Sequence, residues 1–169
     1  LYKKEDWMAI WMGFLLLIVG LLIYLPGPPE KMDENVAKYH AVLKESPEAL
    51  AYLEGRGLHS SEMVERFRLG YSDRTLGYRI PFKANAEGAL IRERLQACGI
   101  LRASGHEHFR GSLVIPVFDE NGCVTEAYGR KIHDHLRKGT PSHLYLPGPH
   151  RGVWNLEALQ ASTEIILCE

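Results

Sequence analysis

The chain has 169 residues, with 20 lysines and arginines against 21 aspartates and glutamates and a formal net charge of −1. That length holds one ordinary domain and hardly two, and 46% hydrophobic with 24% charged residues argues against wholesale disorder. Near-neutrality removes any global nucleic-acid signature, so such a surface must be local; three scattered cysteines, Cys98, Cys123 and Cys168, with no C-x-x-C pair, argue against a zinc ribbon or disulfide framework and fit a reducing compartment.

In chain order, Trp7 to Leu25 come first: uncharged, almost entirely apolar and long enough to cross a bilayer as a helix. Trp7, Trp11 and Tyr24 stand near its ends, where amphipathic rings favour the membrane interface, and Pro26, Gly27, Pro28 and Pro29 stop it. The alternative is a buried core helix; a signal peptide lacks its small-residue cleavage site. Lys3 and Lys4 would hold the N-terminus in the cytoplasm, and a single span would then put everything after Leu25 outside.

From Asp33 the pattern is that of an α+β domain. Asp33 is expected to N-cap a helix with Val36, Tyr39, His40 and Leu43 on its apolar face. Ser46-Pro47 opens a second short helix presenting Leu50 and Leu53 and stopped by Gly55. Ser60 or Ser61 caps a third, carrying Met63, Val64 and Phe67 and ending near Gly70. A strand is expected around Tyr78 to Phe82, then a helix from about Glu87 to Cys98 burying Ile91, Leu95 and Cys98 and stopped by Gly99. Leu113 to Phe118 reads as a strand, Asp119-Glu120-Asn121-Gly122 as a hairpin connection and Val124 to Tyr128 as the return strand. Lys131 to His150 reads as a long ordered loop, Asn155 as the cap of a short helix through Leu159, and Ile165 to Cys168 as a buried strand.

A polymerase needs carboxylate-held divalent metals, cations for phosphates and a surface for the strand. Glu169 follows an apolar strand, where α/β folds place ligand sites, yet one carboxylate is too few for a metal site and by itself reads as a strand end. Cations are better represented: Arg102, Arg110, Arg130, Lys131, Arg137, Lys138 and Arg151 share one region with six of the eight histidines. Tyr128, Tyr145 and Trp154 are interleaved with them, as stacking platforms would be. A solvated face with a few inward aromatics gives the same pattern. Arg130 stands out because the preceding Gly129 lets backbone approach a ligand closely while a guanidinium faces phosphate. The pairs His106/His108 and His133/His135 lack a cysteine or carboxylate at ligand spacing and read as loop histidines. Ser60, Ser61 and Ser112 have no nucleophile-elbow context, and no glycine-rich phosphate loop is present.

The order of several short runs carries a family resemblance. Tyr52-Leu53-Glu54-Gly55-Arg56-Gly57-Leu58 resembles the "YL-x-x-RG-(L/I)" of bacterial DnaG-type primases, and Phe67-Arg68-Leu69-Gly70-Tyr71 the "F-x-(L/I)-GY" that follows it. Phe109 through Val117 is similar to "F-R-x-R-(I/V)-x-(F/I)-P-I", and Asn121-Gly122 through Tyr128-Gly129-Arg130 to "G-x-(V/I)-x-(G/A)-(F/Y)-G-(G/A)-R". His143 through Leu156 takes the place of "KYLNSPET…LYGL", and Glu164 through Glu169 resembles the opening strand of a Toprim domain. The wording resembles mobile-element relatives that also carry a CHC2-type zinc domain. Two positions depart from the pattern: Ser112 replaces the second arginine of F-R-x-R, and His143 the loop lysine.

The resemblance implies an α+β fold, with a small helical subdomain followed by a mixed α/β primase-core N-terminal domain; the apolar, transmembrane-like helix before it is read from hydropathy. Together these divide the chain into the apolar helix at 1–25, a Pro/Gly linker at 26–34, the core domain at 35–163 and the start of a truncated Toprim domain at 164–169. The primase resemblance also implies a nucleotidyltransferase that makes RNA primers on single-stranded DNA from ribonucleotides, with a replicative helicase as a possible partner. Arg110, Arg130, Lys131, Tyr145 and Arg151 are the expected nucleic-acid and nucleotide contacts, and Glu169 the first carboxylate of a Mg²⁺ or Mn²⁺ site. Zinc belongs only to an N-terminal domain missing from this chain, which on this reading is inactive alone. A cytoplasmic location follows for the primase part. Residues 1–25 separately resemble the start of sulfate-exporter-type membrane proteins, which points to a gene-fragment junction or, alternatively, to a membrane-tethered interaction module without catalysis.

Overall fold

The computed structural model describes residues 30–133, 135–161, 163, 164 and 166. The apolar segment 1–25 and Glu169 lie outside the described residues, and among those described no helix is long and apolar enough to cross a membrane.

Helix α1 spans Glu30–Glu45 and buries Met32, Val36, Tyr39 and Leu43, one stripe at helical spacing. It starts within the expected linker, so Asp33 lies inside it and is not its cap. The Asp33 carboxylate instead accepts the Val124 N–H at 3.1 Å, pinning the first turns of α1 to the strand that begins there. Helix α2 spans Pro47–Gly55 with the Ser46 hydroxyl accepting from Ala49 N, and α3 spans Ser61–Arg66 with Ser60 as the cap.

The chain then enters a sheet where a helix end was expected. Strand β1 (Gly70–Ser72) is buried throughout and pairs antiparallel with β2 (Ser112–Phe118). Gly70 makes this possible: a Cβ there would sit 2.6 Å from the Tyr39 Cβ, so only glycine lets β1 lie directly on α1. The strand expected over Tyr78 to Phe82 is absent. Leu76–Arg79 forms one helical turn, α4, with Leu76 buried, while Tyr78 and Phe82 are 91% and 84% exposed. Their apolar character reflected neither a sheet partner nor core burial. Helix α5 spans Ala86–Ala97, close to its expected bounds.

Strand β3 (Val124–Lys131) returns beside β2 with a register shift at Val117/Phe118, and the connecting turn is organised by Asp119, whose carboxylate accepts from the N–H groups of Asn121 and Cys123. The stretch after Lys131 is not all loop: β4 (His143–Tyr145) adds the fourth strand, giving an antiparallel sheet in the order β1-β2-β3-β4. Asn155 does not cap with its side chain. It adopts φ 58° in a turn, its carbonyl accepts from Ala158 N, and the short helix α6 is Ala158–Ala161. The strand expected at 165–168 falls mostly outside the described residues; Ile166 is exposed and in no strand.

Two apolar clusters hold this mixed α+β architecture. One joins Val36 and Tyr39 of α1 with Leu95 of α5, Phe109 and the sheet residues Val114, Ala127 and Leu144. The other joins Leu43, Leu53 and Val64 of the three helices to Tyr71 and Leu113, so the helical part shares its core with the sheet.

Candidate nucleic-acid interface

Side chains alternate across a strand, so β3 divides its polar residues between two faces. Glu126, Tyr128 and Arg130 share one face; across the strand gap, Tyr128 is paired with Tyr145 and Arg130 with His143. The Tyr128 and Tyr145 rings are 5.1 Å apart, and His150 meets Tyr145 edge-on at 4.6 Å. Arg130 contacts His143 Nε2, and the Tyr128 hydroxyl contacts His143 Nδ1. A guanidinium only donates, so it is the His143 ring nitrogen that would accept from Arg130. The result is a row of a cation, an imidazole and two phenols, with Tyr145 49% exposed.

Glu126 closes one end of the row. It is buried, yet both oxygens are satisfied: His150 Nδ1 lies 2.8 Å from one and the Arg151 N–H donates to the other at 2.7 Å. Arg151 therefore enters the site through its main chain. Sequence reasoning missed Glu126 because an isolated glutamate in a strand carries no signal of its fixed partners, which lie 24 and 25 residues downstream.

Gly129 does not offer backbone to a ligand. Its Cα faces the core, where a Cβ would come 2.4 Å from Cδ1 of the fully buried Phe109. Its role is to admit that ring under the sheet while Tyr128 and Arg130 point the other way.

Lys131 projects from the face opposite Arg130, and its ammonium donates to the Arg110 carbonyl. Burial, followed by the fields of Arg102, Arg74 and Arg110, holds it below the usual lysine pKa. The expected cations thus fall into two groups, Arg130 on one side and Arg110 with Lys131 on the other, the latter joined by Arg74. Of the paired histidines, His108 bonds the Tyr145 carbonyl at 2.7 Å and His133 the Glu48 carboxylate at 2.9 Å. Burial, partly offset by that carbonyl, lowers the His108 pKa, and burial raises that of Tyr128. Among the described residues no group of three or more His, Cys, Asp or Glu could hold a metal ion, so metal chemistry is assigned to none of them.

An antiparallel sheet packed on helices, with two adjoining phenols beside a guanidinium at its β3–β4 edge, is chemistry suited to bases and phosphates. The family model for the DNA primase catalytic core, N-terminal domain, matches residues 38–149. The chain belongs to this family of DnaG-type primase catalytic cores. It is similar to a DNA primase of Buchnera aphidicola, 27% identical over 112 residues, covering 63% of this chain and 19% of that protein. A solved structure described as the DnaG primase catalytic domain bound to ssDNA matches with TM-score 0.62 and 28% identity, over 82% of this chain and 46% of that one. The chain thus spans less than half of either. A separate match of 43 residues is 42% identical to a UPF0324 membrane protein of Nitratidesulfovibrio vulgaris, covering 25% of this chain and 7% of that protein.

Proposed function

We propose that this chain supplies the single-stranded template and nucleotide-binding half of a DNA primase core, and that it makes no primers by itself. The observation that carries this is the row Arg130, His143, Tyr128, Tyr145 along the β3–β4 edge of the sheet, where Tyr145 is exposed. The guanidinium offers a directional fork to phosphate, and the phenols offer π-faces to bases of any sequence. Structural similarity to a core bound to ssDNA supports the same ligand class. On this reading residues 35–163 form the core N-terminal domain and residues 164–169 open a Toprim domain. Mg²⁺ or Mn²⁺ would then be held by Glu169 with carboxylates not among the described residues, neutralising charge on the transferred phosphates. The side chains described here bind and orient the strand.

The test is binding of a labelled oligothymidylate to the full chain across a salt series. Binding should weaken with salt, and Arg130→Gln should reduce the slope of log K against log salt by about 0.7, one single-strand phosphate contact. Salt-independent binding, or primer formation by the chain alone with template, nucleotides and Mg²⁺, would sink the proposal. The UPF0324 match favours a second reading, a membrane-tethered binding module in which residues 1–25 are a native span. Retention of the natural product in carbonate-washed membranes separates the two.

A further inference from the structure

Residues 77–82 present two large rings that neither apolar cluster uses. Ile80 turns inward onto the core around Leu76 and Leu95, while Tyr78 and Phe82 stand almost wholly in solvent. The loop that carries them is fastened to α5 at several points. The Arg92 guanidinium donates to the Gly77 carbonyl at 3.4 Å and to the Pro81 carbonyl at 3.2 Å. The Phe82 carbonyl accepts the Asn85 N–H at 3.0 Å, and Gly88 lies so close to the loop that a Cβ there would sit 2.5 Å from the Pro81 oxygen. Exposure of the rings is thus built into the fold and is not the consequence of a loosely attached loop.

The rings line an open cleft of about 440 Å³, with Ile80 and Pro81 as further apolar wall and the guanidiniums of Arg79 and Arg92 beside them. No carboxylate lines this cleft. Arg92 Nε has no hydrogen-bond partner, and the Asp73 carboxylate comes no nearer to Arg79 than 3.7 Å. Exposed apolar rings rimmed by polar groups mark interaction surfaces, and tyrosine and arginine are among the side chains that carry most binding energy at protein interfaces. A neighbouring recess of about 590 Å³ shares Gly77, Tyr78 and Arg92 with the cleft, but there Asp73 and Glu107 stand with Arg74 in the wall.

We propose that the Tyr78–Phe82 cleft is a docking site for a protein partner, and that its occupant is a short acidic segment bearing a large apolar side chain. The apolar side chain packs on Tyr78, Pro81 and Phe82, and the flanking carboxylates face Arg79 and Arg92. Charge decides the sign: two guanidiniums with no carboxylate in the lining repel a basic segment and attract an acidic one. Length decides against a nucleic-acid strand. A strand continues past the cleft, and toward Arg110 its phosphates would meet the carboxylates of Asp73 and Glu107 in the neighbouring recess, whereas a short peptide stops before them. Rings on a fastened loop and a guanidinium held by two carbonyls lose little freedom on binding, so the surface is ready for its partner. The cleft shares no residue with the Arg130 row and does not depend on what that row binds.

The test pans a random dodecapeptide phage library on the full chain, with depletion on the Tyr78→Ser/Phe82→Ser double variant. Both positions lie outside the core, so the variant should keep the wild-type circular dichroism spectrum and urea midpoint. Retained peptides should carry Asp or Glu beside a large apolar residue. A synthetic copy of the most enriched one should bind the wild type by fluorescence anisotropy and bind Phe82→Ser about tenfold more weakly, the scale of an interface hot spot. Arg79→Gln should weaken it about threefold and flatten its salt dependence. Oligothymidylate binding, with its dependence on Arg130, should be unchanged in the double variant, so this inference and the proposed function fail separately. Absence of any peptide that separates wild type from the double variant overturns the docking site, as does enrichment of basic or neutral sequences. Loss of oligothymidylate binding in the double variant would reassign the rings to nucleic acid. A concentration-dependent dimer abolished by the same substitutions would reassign them to a second copy of the chain, and either result overturns the acidic partner.

Discussion

The Ser72 hydroxyl donates to the Glu107 carboxylate at 2.5 Å inside the core, across 35 residues of sequence. The second carboxylate oxygen of Glu107 accepts the Leu76 N–H at 2.9 Å. One buried acid therefore ties β1, the first turn of α4 and the segment before β2 together, and it positions the wall of the Arg74 recess.

Removing that acid strands two buried donors. Glu107→Ala is expected to lower unfolding free energy by about 3 kcal/mol, the scale for losing a charged acceptor and leaving its partners unpaired. Glu107→Gln, which keeps one acceptor oxygen, should cost roughly half as much. Urea unfolding followed by circular dichroism measures both; equal midpoints for wild type and Glu107→Ala would show that the network contributes no stability.

Gly129 gives a packing prediction. A methyl group there collides with Phe109, so Gly129→Ala should destabilise the fold by about 1–3 kcal/mol. Phe109→Leu in the same chain should recover part of the loss, because the smaller side chain vacates the space. A double-mutant cycle by urea unfolding reads the coupling, and strict additivity would rule out the contact as its cause.

The elements most legible in the sequence were those whose local and tertiary signals agree. Ser46-Pro47 capped α2 as its chemistry dictates, the Leu113–Phe118 strand and its return partner formed with the Asp119 turn between them, and α5 fell within a residue or so of its expected span. What was not legible depended on distant partners. Gly70–Ser72 reads as a helix end until Tyr39 is beside it, and Asp33 reads as a cap until Val124 arrives from 91 residues away. Tyr78 and Phe82 mimic a strand because apolar content alone cannot distinguish burial from exposed rings. At the candidate site, Arg130 and Tyr145 were identifiable by type, but their cross-strand arrangement required β4, within a stretch whose glycines, prolines and histidines resembled a loop.

Tyr145 tests the stacking half of the proposed function. Tyr145→Ala should weaken oligothymidylate binding by about 1–3 kcal/mol, roughly five- to 150-fold, if one base stacks on its ring. Tyr145→Phe should bind almost as wild type, since the π-face is retained. Fluorescence anisotropy at fixed salt measures both, and similar losses for Ala and Phe would assign the effect to the hydroxyl rather than to stacking.

His108 supplies a pH prediction with a definite sign. It is half-buried against Phe109, its Nε2 lies 2.7 Å from the Tyr145 carbonyl, and burial holds its pKa below the ordinary 6.5. As pH falls through 6.5 the unfolded chain takes up this proton before the folded one does, so the His108 contribution to stability is present above 6.5 and declines toward the lowered folded value. His108→Gln keeps a donor for the Tyr145 carbonyl but cannot titrate. The difference in urea midpoint between wild type and variant should therefore shift against wild type as pH drops from about 7 to 5. A difference that stays constant over that range would mean that the imidazole is as easy to protonate in the folded chain as in the unfolded one, and that burial does not disfavour its charged form.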